Sequence, residues 1–221
     1  MEEELAKEFL TSKSTHHLIC TIGKSSILNQ LMRQKLCLTS KSPGRTQQAY
    51  YYGLIPNKHL PPGSPGKSDS SGVSASTSIG FAVDLPGYGF AQSPDKVVGN
   101  WQSRTQDLLL DRQRRGVLQR LYLLIDCRRE DGPQPADRTV MGWLDEAEIP
   151  YTMVLTKADA VAVPLVLNHV NNLCTRYASQ YALEEMVFQS PVVHITSSSK
   201  GFGVYELMHS VETDFLASQE E

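Results

Sequence analysis

The chain has 221 residues, of which 40% are hydrophobic and 20% charged, values typical of a globular protein and not of a fibrous or disordered one. The formal net charge of −3 argues against a protein that coats nucleic acid with an overall basic surface. No apolar run approaches the roughly 20 residues needed to span a bilayer, so we expect no membrane partner.

Residues 1–16 are predicted to form an N-terminal extension. Their acidic start, MEEELAKE, has the wrong charge for a secretory signal or an organelle transit peptide. We therefore expect a soluble, cytoplasmic monomer, and a mitochondrial or plastid location would require a leader upstream. Cysteines without a CxxC pair predict buried, reduced thiols at Cys20, Cys37, Cys127 and Cys174.

Short apolar runs alternate with longer amphipathic stretches across residues 17–216. This alternation predicts an α/β fold of the P-loop NTPase type, one domain with a mostly parallel six-stranded sheet and helices on both faces. The predicted strands are Leu18–Thr21, Ala49–Leu54, Ile79–Val83, Leu121–Asp126, Tyr151–Leu155 and Val192–Ile195. The predicted helices are Lys24–Gln34, Pro94–Gln113, Pro135–Ala147, Pro164–Gln180 and Val204–Ala217.

Residues 57–78 interrupt this alternation between the second and third predicted strands. They are rich in Ser, Gly and Pro and have almost no large apolar side chains. Such a segment cannot bury enough surface to offset its ordering entropy, so we expect a flexible insertion. Residues 217–221 are predicted to be a C-terminal tail.

Gly23, Lys24, Ser25 and Ser26 join the first predicted strand to the first predicted helix, which is the context of a phosphate-binding loop. Backbone N–H groups there bind phosphate oxygens, Lys24 reaches the β- and γ-phosphates, and the Ser25 hydroxyl binds Mg²⁺. The full pattern GxxxxGK[ST] requires a glycine at position 18, which is Leu18. The alternative interpretation is a chance match on a surface turn.

Two further segments suit a γ-phosphate and its Mg²⁺. Thr46, in the sequence SPGRTQQ, can complete the metal shell and release it after hydrolysis. Asp84 follows the third predicted strand and can hold Mg²⁺ through water, while the Gly87 amide contacts the γ-phosphate. Taken alone, the two segments are a polar turn and a Pro-Gly turn.

Two loops after the last predicted strands suit a guanine base. The Asp159 carboxylate, in the sequence TKAD, can accept hydrogen bonds from guanine N1–H and the exocyclic amine, a donor pair that adenine lacks. The stem of Lys157 can lie along the base, and the serine-rich loop from Thr196 can contact guanine O6. Each loop alone could be an ordinary turn.

Five arginines leave two interpretations open. They could contact RNA phosphate or lie in solvated helix ends, and they are Arg112, Arg114, Arg115, Arg128 and Arg129.

With these motifs in order, the chain resembles the EngB (YihA/YsxC) family of TRAFAC-class GTPases across roughly residues 17 to 216. The phrases that carry the resemblance are KSPGRTQ at 41–47, DLPGYGFA at 84–91, LLIDCR at 123–128, TKAD at 156–159 and SSSK at 197–200. The resemblance implies a single-domain GTPase that binds GTP and GDP with Mg²⁺. It also implies a role in assembly of the large ribosomal subunit, with immature subunit RNA and proteins as partners.

The resemblance also implies roles for individual residues. Lys24 and Thr46 serve catalysis, and Ser25, Thr46 and Asp84 serve the metal. The nucleotide is held by Gly23, Lys24, Ser25, Ser26, Gly44, Arg45, Thr46, Gln47, Asp84, Gly87, Thr156, Lys157, Asp159, Thr196, Ser197 and Ser198.

The chain departs from the family pattern at three places. Leu18 replaces a glycine, and its side chain would intrude where the loop turns against phosphate. Thr21 replaces an asparagine that holds a monovalent cation, which counts against potassium as a cofactor without excluding it. The insertion at 57–78, where bacterial members have a tight connection, suggests a eukaryotic source.

Two functions of different classes follow. The first is a slow, Mg²⁺-dependent GTPase switch, because Tyr88 stands where a glutamine would position water. The second is a degenerate domain that binds a ribosome or protein partner without efficient hydrolysis. An ATP-using kinase is a weaker third, since residues 156–159 select guanine.

Overall fold

The computed structural model describes residues 17–22, 25–31, 49–54, 80–85, 95–182 and 188–217. The predicted extension at 1–16, the predicted insertion at 57–78 and most of the predicted tail lie outside these ranges.

The described residues form a six-stranded sheet with the strand order β2-β3-β1-β4-β5-β6. Neighbouring strands run parallel except β2, which is antiparallel to β3. The strands are β1 His17–Ile22, β2 Tyr50–Leu54, β3 Gly80–Leu85, β4 Leu118–Asp126, β5 Tyr151–Thr156 and β6 Gln189–Ile195. The helices are α1 Ser25–Leu31, α2 Asp95–Arg114, α3 Pro135–Glu146, α4 Val163–Ala182 and α5 Val204–Ala217.

Strand β4 shows how helices cover both faces of the sheet. Leu121, Leu123 and Ile125 point to one face, where they pack in a core with buried residues of α2, α3 and α4. Tyr122 and Leu124 point to the other face and pack with residues of α1 and α5. Since side chains alternate along a strand, a continuous apolar run of this length is buried on both sides. The predicted two-sided α/β fold is confirmed.

Strand β3 is longer at its carboxyl end than the predicted Ile79–Val83. It ends at Leu85, so Asp84 lies within the strand and not after it. The strand extends to this point because it pairs with a neighbour on each side, where Asp84 is in register with Thr21 of β1 and with Tyr50 of β2. The other predicted strands and helices shift by a few residues, except Val204–Ala217, which coincides with α5.

The prediction that the cysteines are buried is wrong for Cys174, which is exposed on α4, while Cys127 is a buried free thiol. Among the residues of α4 whose burial is described, the buried ones are Val166, His169 and Leu173, which recur at spacings of three and four. A residue directly after Leu173 is turned about 100° away from that face. Among the described helices, none combines the length and apolar character needed to cross a membrane.

Candidate functional site

The predicted site residues gather at one edge of the sheet, where parallel strands end. Asp126 at the end of β4 is in register with Thr156 at the end of β5. Leu155 of β5 is in register with Ile195, the last residue of β6. In open α/β sheets, ligands bind in the crevice outside these carboxyl ends. The loops after β5 and β6 therefore face the same crevice.

The connection from β1 to α1 lies where the phosphate loop was predicted. Strand β1 continues to Ile22 and pairs with both β3 and β4, and α1 begins at Ser25. Leu18 therefore lies inside a strand, as the predicted strand Leu18–Thr21 has it, and the intrusion of its side chain on phosphate stays a prediction. Only two residues, Gly23 and Lys24, separate strand from helix, and they lie outside the described residues.

Of the residues predicted to hold Mg²⁺, Asp84 is the one whose burial the structure describes. Asp84 is 2% exposed, so its carboxylate has little contact with solvent at the carboxyl end of β3. Ser25 follows the neighbouring strand β1 and opens α1. A serine hydroxyl and a carboxylate are oxygen ligands of the kind that Mg²⁺ prefers, so these two residues fit that ion. The remaining predicted residues of this half, Gly44, Arg45, Thr46, Gln47 and Gly87, lie outside the described ranges.

The loop after β5 bends sharply at Lys157. This residue has φ 58° and ψ 34°, a left-handed conformation that is uncommon outside glycine. A 3-10 turn at Ala158–Ala160 follows and leaves Asp159 exposed. Thr156 is buried, and its hydroxyl donates a hydrogen bond to the Ile125 carbonyl at 3.1 Å. Thr156 thus ties β5 to β4, while Asp159 lies at the exposed surface of the loop.

The loop after β6 is bound to the loop after β5. The Thr196 N–H and hydroxyl both donate to the Leu155 carbonyl, at 2.7 and 3.0 Å. The Ala158 N–H donates in turn to the Thr196 carbonyl at 3.1 Å. Thr196 is therefore a buried link between the two loops. Of the two predicted serines, Ser197 is buried, whereas Ser198 is only partly buried.

Ser199, which was not among the predicted base-binding residues, contacts the most informative of them. Its hydroxyl donates a hydrogen bond to Asp159 Oδ2 at 2.6 Å. Hydrogen bonds from Ser197 and Ser199 lower the pKa of Asp159, so its carboxylate is an anion at neutral pH. The sequence shows three adjacent serines that could bind Asp159, but spacing alone does not tell which hydroxyl reaches the carboxylate.

A second acid, Asp126, which the sequence had not singled out, also lies at this edge. Its carboxylate accepts two hydrogen bonds from the Arg128 guanidinium, at 3.0 and 2.9 Å, and one from Lys157 Nζ at 2.5 Å. Burial alone would raise the pKa of Asp126, but these hydrogen bonds outweigh burial and hold the pKa well below its usual range. Asp126 is thus an anion paired with two cations.

One of the five arginines, Arg112, departs from both earlier interpretations. Arg128 is paired with Asp126 in the turn after β4, and Arg112 is only 3% exposed near the end of α2. Arg112 is thus not a solvated helix end, and its buried guanidinium cannot reach RNA phosphate, whereas Arg128 is exposed and its contact with RNA stays a prediction. Arg114, Arg115 and Arg129 are exposed.

Comparison with known proteins agrees with this arrangement. A family model described as "50S ribosome-binding GTPase" matches residues 20–157. A curated protein of Nitrobacter winogradskyi, "Probable GTP-binding protein EngB", is 36% identical over 187 residues, which are 84% of this chain and 72% of that protein. A protein of the same name from Cereibacter sphaeroides is 32% identical over 196 residues, with 87% and 74% covered.

Solved structures agree on the fold. The crystal structure of "a probable GTP-binding protein engB" superposes with a TM-score of 0.60 at 16% identity, covering 90% of this chain and 99% of the other. The elongation factor SelB of Methanococcus maripaludis gives a TM-score of 0.55 at 14% identity, covering 90% of this chain and 33% of the other.

Proposed function

This chain belongs to the EngB family of GTP-binding proteins, and we propose on that premise that it binds GTP and GDP and hydrolyses GTP slowly. The observation that carries the proposal is the exposed Asp159 carboxylate, which accepts a hydrogen bond from the Ser199 hydroxyl at 2.6 Å. Guanine offers N1–H and an amine to such an acceptor, whereas adenine would leave it unpaired. The base half of the site thus favours guanine.

The phosphate half is proposed from residue chemistry and its place in the fold. Lys24 would bind the β- and γ-phosphates, and Ser25, Thr46 and Asp84 would hold Mg²⁺. The ion, when bound, neutralises charge on the phosphate oxygens. Asp84 suits this role because it is buried at the sheet edge, one strand from the start of α1. Gly87 would contact the γ-phosphate, and Gly44, Arg45 and Gln47 would close over the nucleotide.

Slow hydrolysis is proposed because the residue after Gly87 is Tyr88. A phenol cannot orient an attacking water as a glutamine amide does. A partner would then supply the missing catalytic group. The proposed partner is the immature large ribosomal subunit, with its RNA and proteins, because the matching family model is described as a 50S ribosome-binding GTPase. In this proposal the nucleotide switches the protein between a bound and a released state.

The experiment is a calorimetric titration of the purified protein with GDP, GTP, ADP and ATP in the presence of Mg²⁺. We expect the guanosine nucleotides to bind at least about tenfold more tightly than the adenosine nucleotides, because adenine would leave the Asp159 carboxylate without a hydrogen-bond donor. Asp159→Asn should abolish that preference. Asp107→Asn, which changes an exposed acid on α2, is the matched control. Equal binding of guanosine and adenosine nucleotides by the wild-type protein would overturn the proposal.

One observation favours the second function, a degenerate domain with weak phosphate binding. Residues 18–22 pair on both sides as a strand, so they do not wrap a phosphate as a GxxxxGK loop does. Affinity would then come from the base alone. Titration with guanosine separates the two functions, because a degenerate site binds guanosine and GDP alike, whereas a working phosphate loop binds GDP far more tightly.

A further inference from the structure

The ion-paired group formed by Asp126, Arg128 and Lys157 connects the ends of two neighbouring strands. Asp126 closes β4, and Lys157 follows Thr156, its register partner at the end of β5. Both Nζ of Lys157 and the guanidinium of Arg128 bind the same oxygen, Asp126 Oδ2, at 2.5 and 2.9 Å. The second oxygen, Oδ1, accepts from the Arg128 side chain and from its backbone N–H, at 3.0 and 3.1 Å.

This arrangement leaves the carboxylate of Asp126 little freedom. Its side chain is 22% exposed, and the guanidinium binds its two oxygens as a fork, which fixes the plane of the carboxylate as well as its position. Lys157 itself is only 29% exposed and has a left-handed backbone. A long, flexible side chain is thus fixed at its backbone and at its terminal amine.

We propose that Asp126, fixed by Arg128, is a positioning residue that holds the Lys157 stem where it lies along a bound guanine base. The inference rests on the proposed function, because it concerns the base half of that site. A stem that is already immobilised loses less conformational freedom on binding, so the base meets a preformed surface. Asp126 acts only through Lys157 and does not contact the nucleotide.

The test is a double-mutant cycle on GDP affinity, measured by calorimetry with Mg²⁺. In Asp126→Asn, the remaining Oδ1 still accepts from the Arg128 N–H, so the turn is kept while the charge is removed. We expect this variant to bind GDP about tenfold more weakly, the size of a charge-assisted hydrogen bond. In a Lys157→Met background, Asp126→Asn should have no further effect on GDP affinity, because the amine that Asp126 binds is already absent.

Arg115→Gln is the matched control, since it breaks the 3.0 Å pair with Asp111, on the amino-terminal side of β4 and away from the site. It should leave GDP affinity unchanged. Unchanged affinity in Asp126→Asn, or an equal loss with and without Lys157, would overturn the inference while the proposed function stands. Wild-type protein that does not prefer GDP over ADP would overturn both.

Arg128→Gln provides a second route if Asp126→Asn does not fold. It removes the fork from an exposed side chain and keeps the pair between Asp126 and Lys157. We expect a smaller loss of GDP affinity, about threefold, because the carboxylate is then held by one partner. An Arg128→Gln variant with wild-type GDP affinity would also overturn the inference.

Discussion

Ser199 Oγ and Asp159 Oδ2 lie 2.6 Å apart, although 40 positions separate the two residues in the chain. The contact joins the loop after β6 to the loop after β5 at the predicted base site. A hydroxyl that holds one oxygen of a carboxylate fixes how the carboxylate presents itself to a ligand. The orientation of the acid predicted to bind the base therefore depends on a residue outside the TKAD sequence.

Ser199→Ala is expected to weaken GDP binding about fivefold, because Asp159 loses a hydrogen bond that orients it. Both side chains are exposed, so the urea midpoint of unfolding should not change. The measurement is calorimetric titration beside a urea denaturation curve. Ser179→Ala, an exposed serine on α4, is the control. A Ser199→Ala variant with wild-type affinity would show that Asp159 needs no such support.

Gly203→Ala is expected to destabilise the fold by about 3 kcal/mol or more. Gly203 has φ +67°, and a Cβ there would lie 1.8 Å from the Ile195 carbonyl oxygen. Gly201 is the matched control, because it has nearly the same φ, +68°, and open space around it. Gly201→Ala should cost about 1 kcal/mol, the strain of the left-handed backbone alone. Equal free energies of unfolding in the two variants would contradict this prediction.

Tyr122→Phe is expected to lower the free energy of unfolding by about 1–2 kcal/mol. The Tyr122 hydroxyl donates to Asp214 Oδ2 at 2.7 Å, and burial raises the pKa of this phenol, so it remains a donor. Asp214 keeps its ion pair with Arg120 at 3.0 Å, which limits the loss. Urea denaturation measures the effect. Tyr205→Phe, at a residue 70% exposed, should change nothing, and a comparable loss there would refute the assignment.

The stability of the fold is expected to fall as the pH drops below about 6.5, the ordinary pKa of histidine. Burial lowers the pKa of His194, despite the charges of Asp214 and Glu206, so the folded chain takes up this proton less readily than the unfolded chain. The stabilisation of the fold by neutral His194 is complete above the pKa of the unfolded chain. It is lost as the pH falls from that value towards the lower pKa of the folded chain. Urea midpoints at pH 7.5 and 5.5 test this. His194→Gln should shrink the difference, and an undiminished difference would contradict the prediction.

The sequence predicted the layers of the fold because apolar runs such as the one in β4 are long enough to require burial on both faces. It also predicted which loops meet, since parallel strands bring their ends to one edge. The contact of Ser199 with Asp159 was missed, because the choice among three adjacent hydroxyls depends on the path of the loop. The pair of Asp126 with Lys157 was missed for a similar reason, since it depends on the register of β4 with β5.

Strand β1 was also predicted, as an apolar run at Leu18–Thr21 before the GKS fragment. Apolar residues at 18, 19 and 22 and neighbouring strands on both sides favour this extended strand, although the full GxxxxGK[ST] pattern would place the start of a loop at position 18. Cys174 was misplaced because an apolar pattern fixes a helical face only to within about one residue, or 100° of rotation.

The position of α5, the helix that carries Asp214, also bears on how the chain folds during synthesis. The face of the sheet that holds Tyr122, Leu124 and Val154 is covered by α5 through Leu207 and Val211. Since α5 lies at the end of the described ranges, the ribosome makes it after all six strands. Until then only α1, through Ile27 and Leu31, can cover part of that face, and the nascent chain exposes the rest as apolar surface of the kind that chaperones bind.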